Sequence, residues 1–66
     1  DNTALYAGLV HRLPDWLSAS GFALLYTMEY RLLETCLKRE PRLRIIDRTA
    51  TEAGGLTPHV FLVRRA

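Results

Sequence analysis

Three side chains in this sequence, His59, Cys36 and Glu29, stand where their type could do chemistry. His59 titrates near neutral pH without help and could act as a general base. No nucleophile or orienting acid can be assigned beside it, so it reads as a polar residue opening a strand. Cys36 could be a reactive thiol. It lies among Leu32, Leu33 and Leu37, where free cysteine packs as a small apolar side chain. Glu29 could bind an acceptor as a carboxylate, or sit at a helix N-terminus where the dipole favours an acid. Two histidines and one cysteine cannot supply a four-ligand structural zinc site without distant carboxylates. A single cysteine also excludes an internal disulfide, and with it the stapled secreted scaffolds.

The basic residues are unevenly placed. From Arg31 onward eight basic and four acidic residues give +4, while the first thirty residues give −2, for a net +2. Arg42, Arg44, Arg48, Arg64 and Arg65 gather in the last third. A nucleic-acid footprint has this look. The sequence offers no aromatic stacking platform beside these arginines, so a solvated sheet edge is the preferred reading. His11 reads as surface. Tyr6, Trp16 and Tyr30, at helical spacing, read as core or interface rather than as a binding surface.

Five elements must position these groups. Thr3 is a candidate N-cap for a first helix, along which Leu5, Leu9, Leu13, Trp16 and Leu17 form an apolar stripe. Pro14 predicts a kink near Val10 or a restart at Pro14, and Ser18 to Gly21 end the helix. Phe22 to Met28 is apolar on both faces, which predicts an interior strand covered on both sides. A second helix spans about Tyr30 to Arg39, with Tyr30, Leu33, Cys36 and Leu37 on one face and Pro41 as its stop. Glu34 and Lys38 stand in the favourable i,i+4 order. Two strands follow, Leu43 to Thr49 and His59 to Arg64. They are joined by a loop in which Gly54-Gly55 permits positive φ.

The order α-β-α-β-β predicts an α/β fold with a three-stranded mixed sheet. A strand, crossover helix and second strand run co-directionally. The last strand must then run antiparallel to both. Being the more apolar of the hairpin pair, it belongs between the other two, with the Arg-rich strand at the edge, where charge discourages further pairing. Strand order is first, third, second. Residues 1–66 form a single domain or fragment with no internal repeat or linker. The longest uncharged run, Trp16 to Met28, contains two Ser and a Thr, and nothing spans a bilayer. A chain this short buries only about 60% of its unfolded surface, yet it carries six aromatics. The opening Asp1-Asn2-Thr3 lacks an initiating Met, which suggests a piece of a longer polypeptide. A second copy or the remainder of a parent domain is therefore expected over the excess apolar surface.

The whole arrangement resembles the C-terminal third of the class I S-adenosylmethionine-dependent methyltransferases. In that Rossmann-like family a seven-stranded sheet ends with a parallel fifth strand, a helix, a sixth strand, and an antiparallel seventh inserted between the two. Leu13 to Leu25 is similar to the stretch from helix end through glycine turn into strand five. Arg31-Leu32-Leu33-Glu34 would open the next helix, and His59 to Arg65 resembles the last strand. The family's Pro-Gly-Gly before strand five is Ala19-Ser20-Gly21 here. The glycine-rich cofactor loop and ribose-binding acid of its N-terminal half have no counterpart, since the glycines form no G-x-G-x-x-G pattern. The resemblance thus implies a non-catalytic end of a larger enzyme: no catalytic or cofactor-binding residue in these 66 positions, and S-adenosylmethionine only in the parent. The absence of disulfides and of a signal sequence separately favours the cytoplasm. Ligands in open α/β sheets sit beyond the carboxyl ends of co-directional strands. That edge carries Glu29 and Tyr30 and the loop from Glu52 to His59, so Glu29, Tyr30, Gly54, Gly55 and His59 are the expected substrate-facing residues. Two other readings stand beside this one. One is a small interaction module dimerising through its sheet edge; the other is a basic nucleic-acid-binding hairpin.

Overall fold

A computed structural model describes residues 2–52 and 54–66. Asp1 and Ala53 lie outside the described residues, and with Ala53 one position of the expected hairpin loop. The elements are α1 (Thr3–Trp16), β1 (Phe22–Thr27), α2 (Tyr30–Lys38), β2 (Leu43–Ala50) and β3 (His59–Arg65). The sheet order is β1-β3-β2, as the connection rules require. β3 is antiparallel to both neighbours, so the co-directional strands β1 and β2 never touch and both ladders are antiparallel. Gly54 and Gly55 take φ of 59° and 83°, and these left-handed values turn the chain from β2 toward β3. Thr51 N–H donates to the Pro58 carbonyl at 3.0 Å and closes the base of that loop.

α1 departs from expectation in three ways. It runs unbroken to Trp16, with Pro14 buried in its last turn. Pro14 has no N–H to give the Val10 carbonyl, so one bond of the ladder is lost while the helix continues to Trp16. The N-cap position falls on Asn2, not Thr3, and its side chain makes no capping bond. The buried stripe is also rotated from the expected one. Val10 and Leu13 enter the core, Tyr6 and Leu17 pack partly against it, and Leu5 and Trp16 stand open. Leu5 and Trp16 belong to a second apolar stripe, which also includes Leu9, and the helical period alone could not rank the two.

α2 follows its sequence closely. Leu33 and Leu37 are buried, with Tyr30 and Cys36 packed partly against the same cluster. Arg39 is the C-cap, two residues ahead of Pro41. Glu34 lies 3.9 Å from Lys38 and also pairs with Arg48 of β2, tying the helix to the sheet edge.

The core is one-sided. Val10 and Leu13 of α1, Leu33 and Leu37 of α2, and Leu43, Phe61 and Val63 of the sheet form one buried cluster. The shortest Cα extent, 16 Å, has room for one sheet and one helix layer. This overturns the reading of β1 as a strand covered on both sides. Ala23, Leu25 and Thr27 turn inward, while Phe22, Leu24 and Tyr26 are 62–67% exposed on the other face. An uninterrupted apolar run does not show whether a second layer exists to cover its outer half.

Candidate functional site

Three of the five expected residues meet where β1 ends. The register sets Thr27 opposite His59. The His59 ring stacks on Tyr30, with centroids 3.9 Å apart and planes inclined by 23°. Thr27, buried to 4% exposure, accepts a hydrogen bond from the Glu29 backbone N–H at 2.9 Å. It shares another with the Tyr6 hydroxyl at 2.8 Å. Glu29 receives the Asn2 side-chain amide, so the residue at the α1 N-cap is drawn to the β1–α2 junction instead of capping its own helix. Gly54 and Gly55 lie in the hairpin turn, where an added Cβ would meet nothing within 4 Å.

This constellation positions backbone; it does not form a nucleophile–base pair. The Thr27 hydroxyl is spent on Tyr6 and Glu29. His59 Nδ1 is buried and finds no hydrogen-bond partner among the described residues. Asn2, Tyr6 and Thr27 were not anticipated. Thr27 was within reach of the sequence: period-2 alternation from Ala23 and Leu25 places it inward, and a buried hydroxyl requires partners.

Among the described residues no group of three or more His, Cys, Asp or Glu side chains could hold a metal ion. The strand-to-helix junction reads Thr27-Met28-Glu29-Tyr30. It contains no glycine. Cys36 lines a shallow groove between the helices with Thr3, Ala7, Val10, His11, Arg39 and Glu40. Tyr6, Trp16 and Tyr30 form no common surface: Tyr6 and Tyr30 pack on the core and Trp16 is exposed.

The arginines separate into two groups. Arg42 is bound three ways: to Glu40 at 3.0 Å, to Asp15 at 3.7 Å and to the His11 carbonyl at 2.9 Å. The side-chain hydrogen bond from Arg42, reinforced by its backbone N–H, holds the Glu40 carboxyl down at about 2, well below 4.5. The same contact raises Arg42. Arg48 pairs with Glu34, and Arg65 donates to the Leu17 carbonyl at 3.3 Å. Arg44 and Arg64 form the other group. They stand directly opposite one another, Phe22 stands opposite Arg64 on the far side, and neither guanidinium has a hydrogen bond or ion pair among the described residues. Local sequence sets no aromatic stacking platform beside these arginines. The register supplies one from a strand some forty residues away.

No helix among the described residues is long and apolar enough to cross a membrane. No protein-family model, curated protein or solved structure matches the chain.

Proposed function

We propose that this chain is the C-terminal portion of an S-adenosylmethionine-dependent methyltransferase, inactive without the cofactor-binding half of its parent. The supporting observation is the strand order: an antiparallel last strand inserted between two co-directional ones, in the sequence α-β-α-β-β. In a seven-stranded sheet ending fifth, seventh, sixth, the fifth strand borders the remaining strands. β1 suits that place. Its free edge carries the uncharged run Phe22–Thr27, whereas β2 at the other edge carries Arg44, Asp47, Arg48 and a register shift between Ile45 and Asp47. Charge and bulges discourage further pairing and an uncharged edge invites it. Glu29, Tyr30 and His59 lie at the carboxyl end of β1, where an acceptor would approach in such a sheet.

The test uses the product of the full reading frame that contains these residues. It should bind S-adenosylmethionine with one-to-one stoichiometry by calorimetry, and the 66-residue chain alone should not. A full-length product that lacks a strand and glycine-rich turn upstream of Asp1, or leaves the cofactor unbound, overturns the reading. If the hairpin loop borders the acceptor, deleting residues 53–56 in that product should raise the acceptor KM and leave cofactor affinity unchanged.

A further inference from the structure

The sheet face turned away from the helices carries a pattern that the core does not need. Its register rows read Phe22–Arg64–Arg44, then Leu24–Leu62–Asp47, then Tyr26–Val60–Thr49. Ile46, the extra residue at the β2 bulge, joins Phe22, Leu62, Arg64 and Ser20 around a shallow groove of about 300 Å³. Phe22 and Tyr26 are 62% and 67% exposed and sit on the same side of β1. Four residues of strand separate them by about 13 Å.

Like charges directly opposite in a sheet repel. Arg44 and Arg64 nevertheless face each other, both exposed, with no carboxylate partner among the described residues. A partner that supplies negative charge at that end and flat apolar surface along β1 would satisfy both features. Asp47, in the adjoining row on β2, limits the basic ground to the Phe22 end and leads an anionic chain along β1 rather than across β2.

We propose that this open face binds single-stranded nucleic acid, with bases stacked on Phe22 and Tyr26 and phosphates held between Arg44 and Arg64. Aromatic faces accept any base and arginines accept the backbone, so the site tolerates many sequences. The inference concerns the 66-residue chain itself and does not rest on the methyltransferase reading. A second copy stacked with β3 over β3 in the same direction would set Arg64 against Arg64, and in the opposite direction would leave the Arg44–Arg64 pair without a carboxylate opposite it, over the Tyr26–Val60–Thr49 row.

The test is fluorescence anisotropy of the 66-residue chain with labelled ten-nucleotide oligouridylate and, in parallel, oligodeoxythymidylate. Two phosphate contacts give a log–log salt slope of about −1.4, so affinity should fall about sevenfold between 50 and 200 mM salt. Phe22→Ala and Tyr26→Ala should each weaken binding by about 5- to 150-fold, while Tyr26→Trp should retain it. Arg64→Gln should flatten the salt slope by about 0.7. Arg39→Gln, on the helix layer, should change nothing. Far-ultraviolet circular dichroism confirms that each variant is folded. Absence of binding at 50 mM salt by the folded chain overturns the proposal, as does binding indifferent to both aromatic substitutions. A concentration-dependent dimer in sedimentation that Leu24→Asp abolishes assigns the face to a second copy and overturns it too.

Discussion

The two faces of the sheet carry similar amounts of apolar side chain but have different physical fates. On the inner face Phe61 and Val63 are fully buried and Leu43 nearly so, beneath Val10, Leu13, Leu33 and Leu37. On the outer face Phe22, Leu24, Tyr26 and Ile46 remain 45–67% exposed. The inner residues are packed and the outer ones are not, because nothing among the described residues covers them. A contiguous apolar patch beside unpaired charge marks an interaction surface. The inner face therefore carries the packing and the outer face is the one proposed for recognition, and this division can be tested.

The largest expected effect is on the inner face. Phe61→Ala removes a fully buried aromatic and should cost about 3–5 kcal/mol. A 66-residue domain has only about 3–10 kcal/mol in total, so urea denaturation should find this variant unfolded or barely folded. A cooperative transition near the parent midpoint would show that the helix layer is not the core.

The next effect is at the junction where β1 meets α2. Tyr6→Phe keeps the ring and deletes the hydroxyl that meets Thr27. The loss should be about 1 kcal/mol, the usual net worth of one hydrogen bond, and should appear as a lower denaturation midpoint with unchanged slope.

A smaller effect belongs to the Glu40–Arg42 pair, a half-buried carboxyl and an exposed guanidinium that together join the α2–β2 turn to α1. Glu40 is held at about 2 against an ordinary 4.5 by Arg42. A depressed carboxyl stabilises the fold above its unfolded value, and the contribution fades as pH falls from 4.5 through about 2. Solvent screening keeps this contribution modest. Arg42→Gln should move the Glu40 carbon titration upward toward 4.5 by NMR and remove the acid-dependent part of stability in that window. A Glu40 midpoint unmoved by the substitution would contradict the pairing.

The smallest effect completes the comparison. Leu24→Thr on the outer face should change unfolding free energy by less than about 0.5 kcal/mol in the same urea assay. A loss near that of Phe61→Ala would mean the outer face is covered in solution.

Much of this division was readable from residue order, and the failures have specific causes. The crossover between co-directional strands and the tight return after Gly54-Gly55 leave few topologies, so the strand order followed from connectivity and from the apolarity of His59 to Arg65. The inward face of α2 followed because its apolar residues occupy one stripe only. α1 failed the same reasoning because it has two stripes, and a helix with two apolar sides is oriented by what it packs against. At the candidate site, Glu29, Tyr30 and His59 were found because all three belong to one end of the predicted sheet. Their partners Asn2 and Tyr6 come from α1 and its N-cap, whose approach to the β1–α2 junction no local pattern encodes.

Local propensity, alternation and connection length by themselves determined the five elements, their order in the sheet and the direction of each strand, since these depend on neighbours in the chain and on steric rules common to all chains. Only the tertiary structure decided that both helices share one face. The same packing left Phe22, Leu24 and Tyr26 open and set Arg44, Arg64 and Phe22 in one row. Those outcomes depend on which surfaces meet across 20 to 40 residues of sequence, where burial free energy rather than local preference selects the arrangement.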